Sequence, residues 1–355
     1  MIAIVLGTRP EIIKMSPIVR ECERRGVPHC IIHTGQHYSY EMDRAFFQIL
    51  GLPEARHNLA VGSGPHSAQT GRIMTRIEEV FIADRPEIAL VQGDTNTVLG
   101  GVLAASKIGI LVGHVEAGLR SFDRTMPEEI NRVVADHLAD HLYAPTERER
   151  RYLLDEGIDD AKIWVTGNTI VDAVHQNLAI ARRESTILTS LCVTPHDYVL
   201  VTVHRAENVD SRSKLGSILA ALQLVEKEFD REIVFPVHPR TRKMIAGFGL
   251  ETDGIRMVPP LGYLDFLKLE EQASLILTDS GGLQEEACIL HVPCVTLREN
   301  TERPSTLDVG ANLLAGTETD RIIEASRTMM TRARSWKNPY GDGTSAERII
   351  GLLAG

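Results

Sequence analysis

Short apolar runs alternate with amphipathic stretches along nearly the whole chain. The runs "IAIVLG", "HCIIHTG", "EIALVQGD", "GILVGHVEAG", "HLYAPT", "KIWVTGN", "YVLVTVHR", "EIVFPVH", "IRMVPP", "SLILTDS" and "PCVTL" are rich in Val, Ile and Leu and lack strict alternation. That pattern predicts strands buried on both faces of a parallel sheet. Helical spacing recurs between them, as in "EEINRVVADHLAD" and "SKLGSILAALQLVEKEFD". The rhythm is that of βαβ units wound into doubly covered α/β sheets.

The strands fall into two sets, with "VTGNTIVDAVHQNLAI" between them. Two Rossmann-like domains are expected, residues 1–167 and 168–339. The segment from Arg182 to Thr194 shows no clear period and leads into the second set. Residues 340–355 end in a short apolar helix without a strand, which is expected to pack back on the first domain. The 355-residue length supports two cores of this size.

Composition narrows the function classes. A formal charge of −10 argues against a nucleic-acid partner, because phosphate backbones need a net basic face. An anionic small molecule remains compatible if its pocket is locally basic. No apolar run reaches the roughly 18 to 20 residues of a membrane span, and Met1 runs into an apolar strand with no basic segment before it, so neither a membrane anchor nor a signal peptide is expected. The five cysteines (Cys22, Cys30, Cys192, Cys288, Cys294) form no CxxC pair, which points to a reducing cytoplasm. Cys288 and Cys294 lie in apolar surroundings and read as buried small hydrophobes.

In open α/β sheets ligands sit beyond the carboxyl ends of the strands, and here those turns are dense in polar groups. In "LILTDSGGLQEEACIL" the strand is expected to end at Ser280, Gly281 and Gly282 to allow close backbone approach, and a helix from about Leu283 to offer free N–H groups. This suits a diphosphate, with Glu286 about one turn on to accept from a ribose diol; a plain βα turn is the alternative. Arg303 in "TERP" can pair with phosphate in a bidentate manner or stand as a surface arginine. Arg9 and Lys14 lie on the first turn and helix, where solvated charges are the ordinary reading. Asp94 ends one strand and Glu128 follows Pro127 at a helix start, so each is open to N-capping or dipole complement. Glu116 ends the apolar run "HVEAG", where a charge needs a reason. His204 closes "YVLVTVHR" as a structural or a chemical residue. "GDGTSA" follows no strand and is no dinucleotide fingerprint. His137 and His141, four apart in "DHLADH", read as solvated helix residues, with no metal site expected.

Taken in order, GTRPEIIK, TGQH, QGDT, GHVEAGLR, MPEEINR, TGNT, HRAEN, PVHP, TDSGGLQEEA, TERP and NPYGDG resemble the non-hydrolysing UDP-N-acetylglucosamine 2-epimerases from end to end. The resemblance implies a glycosyltransferase B fold with the two domains facing across a cleft, a homodimer, and no cofactor or metal. It implies UDP-sugar contacts from Arg9, Lys14, Asp94, Glu116, His204, Phe266, Ser280, Gly281, Gly282, Glu286 and Arg303, and an acid/base group of Asp94, Glu116, Glu128 and His204. Leu261 stands where the family often has Gln; a contact there survives if it is made by backbone and is lost if it is made by the side chain. Gln36 is followed by His37, Tyr38 and Ser39, a departure from the pattern of substrate-activated members.

The implied reaction interconverts UDP-N-acetylglucosamine and UDP-N-acetylmannosamine. The C2 hydrogen is not acidic until the C1–O bond breaks; loss of UDP then gives 2-acetamidoglucal, and re-addition gives the other epimer. Acid/base groups are needed on both faces of C2. The alternatives are a hydrolysing epimerase that releases N-acetylmannosamine, a UDP-sugar glycosyltransferase and a non-enzymatic UDP-sugar sensor.

Overall fold

The computed structural model describes residues 1–36 and 40–354, so His37, Tyr38 and Ser39 lie outside the described residues. The chain divides into two compact units, 1–175 with 340–355 and 176–339. The division falls inside the helix Thr169–Glu184, which is continued by a short helix Ile187–Ser190 where no period was legible.

The first unit holds β1 (Ile2–Leu6), β2 (His29–His33), β3 (His57–Asn58), β4 (Ile88–Gln92), β5 (Leu111–Val115), β6 (His141–Ala144) and β7 (Ile163–Val165). They form one parallel sheet in the order β3-β2-β1-β4-β5-β6-β7. The second unit holds β8 (Tyr198–Thr202), β9 (Glu232–Pro236), β10 (Ile255–Val258), β11 (Leu275–Thr278), β12 (Cys294–Thr296) and β13 (Asn312–Leu314), in the order β10-β9-β8-β11-β12-β13. All pairs are parallel, as the apolar runs predict. Every residue of β1 and β4 is buried, and so is every residue of β11.

β3 and β13 were not predicted, because neither stands in a Val- or Ile-rich run like those that mark the other strands. His141 starts β6 while His137 belongs to the helix Pro127–Leu138, so helical i,i+4 geometry does not relate them. Among the described residues no helix is long and apolar enough to cross a membrane.

Each sheet reverses its winding once. The reversal lies between β1 and β4 in the first unit and between β8 and β11 in the second. At such a switch point the following helices leave to opposite faces, and a crevice opens at the carboxyl edge. The turns after β1 and β4 carry Arg9 and Asp94, and those after β8 and β11 carry His204 and Ser280.

The C-terminal segment belongs to the first unit. Buried Asp172 accepts from the backbone N–H of Ser345 (3.2 Å) and Ala346 (3.0 Å), anchoring the helix Ser345–Ala354, which packs on the helix Arg9–Arg25. Past β5, Gly118 has φ +82°, and a Cβ there would lie 2.6 Å from the backbone oxygen of Glu149. A backbone oxygen cannot rotate away, so Gly118→Ala is expected to lower the unfolding free energy by about 2 kcal/mol or more. Urea unfolding of the variant beside the parent checks this.

Candidate active site

In the first unit, β1 runs through Gly7 into the helix Arg9–Arg25, with Thr8 as N-cap and Glu11 completing a capping box. The Glu11 Oε2 accepts from Gly7 N and Thr8 N, both at 2.7 Å, and Oε1 accepts from the Thr95 hydroxyl at 2.5 Å. One buried carboxyl therefore ties the turn after β1 to the turn after β4. Arg9 lies 5.6 Å above the Phe46 ring. Lys14 is buried and points its ammonium at both oxygens of Glu116, at 2.7 and 2.8 Å.

Glu116 is the first residue past β5 and has φ +68°, a left-handed conformation that costs a non-glycine residue about 1 kcal/mol or more. Besides Lys14, the amides of Gln92 and Asn168 donate to it. A charge at the end of an apolar strand is thus supplied with three donors, which removes the penalty of leaving it unpaired. Its Oε2 also comes within 4.0 Å of where a Cβ on Gly93 would stand.

Asp94 follows Gly93, and the structure excludes the capping alternative for it. The helix Asn96–Lys107 is capped by Thr95, whose hydroxyl accepts from Thr97 N and Val98 N. The Asp94 carboxylate is directed instead to Arg132 (2.5 Å), while its backbone oxygen accepts from Asn131 (2.8 Å). Glu128 occupies the first turn of the helix Pro127–Leu138, exposed to solvent, as dipole complement would place it. Its neighbour Glu129 is the buried one, accepting from Ser121 N, Phe122 N and Arg132.

The second unit is organised by Asp279, a residue that sequence reasoning passed over inside "TDSGG". β8 and β11 pair Thr202 with Thr278, whose hydroxyls meet at 2.6 Å. Just beyond, fully buried Asp279 accepts from His204 N, Arg205 N and Asn208 Nδ2, and its Oδ1 lies 3.2 Å from His204 Nδ1. Burial alone would raise the Asp279 pKa, but the bonds from His204 and the backbone outweigh it and hold it below the usual range. His204 is oriented through Nδ1 while its ring stays partly exposed.

β11 ends at Thr278 and the helix starts at Gly281, each two residues earlier than expected. Ser280 is the N-cap, but its side chain makes no capping bond. Gly281 is buried, whereas a Cβ on Gly282 would meet nothing within 4 Å, so the helix start is open on that side. The first N–H groups of a helix have no intrahelical acceptor, which suits an anion here. Arg303 lies 3.0 Å from Glu285 of this helix. Glu302 pairs with Arg298 at 2.9 Å; burial opposes its ionisation, yet Arg298 holds its pKa down at about 2. Glu286 lies near the fully buried Glu270, whose pKa burial and the Glu286 charge push well above the usual range. Leu261 and Phe266 pack against the core around Tyr198 and Leu283, so Leu261 has only backbone groups to offer a polar ligand.

Sequence reasoning did not select Gln92, Glu129, Asn131, Arg132 and Asn168, although each stands inside or beside a motif it quoted. Their signal was present, but their partners were not legible.

The family model described as UDP-N-acetylglucosamine 2-epimerase matches residues 20–354. A protein of that name from Methanocaldococcus jannaschii is 52% identical, with 99% of this chain and 98% of the relative covered. Another of the same name, from Methanococcus maripaludis, is 51% identical, with 100% and 98% covered. The crystal structure of the Methanocaldococcus jannaschii UDP-GlcNAc 2-epimerase in complex with UDP-GlcNAc and UDP superposes with a TM-score of 0.90 over 99% of both chains. Its fold is shared here, two parallel-sheet α/β domains of the glycosyltransferase B type.

Glu11 gives a test of the turn chemistry. Burial drives its pKa up to about 7 against the hydrogen bonds it accepts. A carboxyl with a raised folded pKa contributes stability that is full below about pH 4.5 and lost as pH rises to about 7. That loss is on the order of 3 kcal/mol, and Glu11→Gln is expected to abolish it. Urea unfolding of both proteins at pH 5 and pH 8 measures the difference.

Proposed function

This chain belongs to the UDP-N-acetylglucosamine 2-epimerase family, and from that premise we propose that it reversibly epimerises UDP-N-acetylglucosamine at C2 to UDP-N-acetylmannosamine by a non-hydrolysing route. UDP leaves to give 2-acetamidoglucal and then re-adds. The observation that carries the reading is the pair of carboxylates flanking Gly93: Asp94 against Arg132, and Glu116 against Lys14, Gln92 and Asn168. The ligands of the Methanocaldococcus jannaschii relative add support.

The chemistry follows from the bond order of events. Departure of UDP places positive charge at C1, which acidifies the C2 hydrogen. A carboxylate held by a fixed cation can take that proton without reorganising. Asp94 and Glu116 sit on separate turns with separate cations, so the two can differ in protonation while acting on opposite faces of C2. In this reading the Ser280 turn, with Gly281, Gly282 and Arg303, receives the diphosphate as its charge grows. In the same reading His204, oriented by Asp279, joins the acid/base group, and Glu286 accepts from the ribose diol. Glu128, exposed at its helix start, enters the acid/base group through the family resemblance.

Incubation with UDP-N-acetylglucosamine in deuterated water tests the reading. Deuterium at C2 and a mixture of the gluco and manno nucleotides are expected. Asp94→Asn and Glu116→Gln are each expected to slow the exchange by about a hundredfold or more while UDP still binds. Free N-acetylmannosamine appearing in step with UDP would overturn the non-hydrolysing route.

A further inference from the structure

We infer that His114 is held as a doubly protonated imidazolium and is the positioning residue that fixes the Gly93–Asp94 turn. The inference rests on the reading of Asp94 given above, but its first test does not. His114 lies within β5 and is fully buried. Its Nδ1 is 2.6 Å from Asp136 Oδ1, and its Nε2 is 2.8 Å from the backbone oxygen of Gly93.

A neutral imidazole carries one N–H and one lone pair. If the proton sits on Nδ1, the Nε2 lone pair faces the Gly93 carbonyl; if it sits on Nε2, the Nδ1 lone pair faces a carboxylate. A backbone carbonyl only accepts, and Asp136 is itself held as an acceptor. Its Oδ2 takes Gly118 N at 3.1 Å and lies 2.7 Å from the Arg120 guanidinium. Both contacts are hydrogen bonds only when both ring nitrogens are protonated.

The surrounding charges agree. Asp136 faces the ring from the helix Pro127–Leu138, Arg120 approaches from the segment after β5, and Glu156 pairs with Arg120 through both oxygens at 2.7 Å. Glu116 and Lys14 form their own pair two residues along. With His114 cationic, the cluster of His114, Arg120, Asp136 and Glu156 is neutral; with His114 neutral, it holds an uncompensated negative charge around a fully buried aspartate. Burial by itself would lower the His114 pKa, but Asp136 and the Gly93 carbonyl outweigh burial and leave it raised. Asp136 correspondingly titrates low despite its burial.

The consequence reaches Asp94 through one peptide. The helix Pro127–Leu138 grips this turn three times: Asp136 through His114 to the Gly93 oxygen, Asn131 to the Asp94 oxygen, and Arg132 to the Asp94 carboxylate. Loss of the His114 proton as pH rises sets a lone pair against the Gly93 carbonyl and loosens the first of these grips.

The first test is the wild-type protein labelled with nitrogen-15 in its histidines. At pH 8 one buried ring is expected to show two slowly exchanging ring N–H protons; a spectrum in which every ring carries a single proton overturns the inference. The second test is C2 deuterium exchange. His114→Gln is expected to lower kcat by about a hundredfold with KM near the wild-type value, the scale of a misplaced catalytic group. Asp136→Asn removes the charge that raises the His114 pKa, so its alkaline fall in kcat is expected at lower pH than in the wild type. An unchanged kcat in the first variant, or an unmoved alkaline limb in the second, overturns the positioning role. If the wild type exchanges no deuterium, the epimerase reading fails, and the ring spectrum still decides the charge of His114.

Discussion

The first unit is built around the requirement that Glu116, a carboxylate buried at the end of an apolar strand, never be without donors. Isolated burial of such a charge would cost several kcal/mol or force the group to take up a proton. The fold answers with donors from three places: Lys14 on the first helix, Gln92 at the end of β4 and Asn168 at the start of the helix after β7. None is a local partner; Lys14 is 102 positions away. They meet because the parallel order β1-β4-β5-β6-β7 brings the carboxyl ends of these strands to one edge. The left-handed backbone at Glu116 is then stabilised by the same contacts that neutralise its side chain.

The second unit solves the matching problem with the opposite arrangement. There the buried carboxylate is Asp279, and its donors are mainly backbone N–H groups of the neighbouring turn at His204 and Arg205. A carboxylate satisfied by backbone has little left for chemistry, and its work is to hold two turns in register. Glu116 is satisfied by side chains, which can shift as charge moves. The two carboxylates are both buried at strand ends, yet one is held by backbone and the other by side chains, and the proposed proton transfer draws on the second.

The alternation of apolar runs and helical stretches made most of the architecture legible, including the parallel character of both sheets. The exceptions, β3 and β13, are short edge strands whose pairing is set by neighbours and leaves no mark in their own residues. The site was legible in part. The polar turns after β1, β4, β8 and β11 lie at the sheet reversals and the one carrying Glu116 does not; Glu128 and Glu129 are adjacent acids at a helix start, and nothing local distinguishes the exposed one from the buried one. Thr95 was equally hidden: a cap at that position is what frees Asp94, and Asp94 is itself an acceptable cap.

The helix Pro127–Leu138 shows why the remaining residues escaped. Its sequence reads as an ordinary amphipathic segment, and the usual rule turns Ile130 and Leu138 inward and the acids outward. The structure reverses this: Glu129, Asn131, Arg132 and Asp136 are buried, while Ile130 is 50% exposed and Leu138 38%. The inversion has a physical origin, since the side chains of Glu129, Asn131, Arg132 and Asp136 meet turns and buried groups that offer charged, N–H and carbonyl partners. A polar helix face packed on polar turns gains orientation from each hydrogen bond, whereas an apolar face would leave the Asp94 and His114 groups unsatisfied. Spacing alone could have raised the question, because residues 129, 132 and 136 repeat at helical intervals as a hydrophobic stripe would. Only the identity of what they cover, fixed by strand order far away in sequence, decides which stripe faces in.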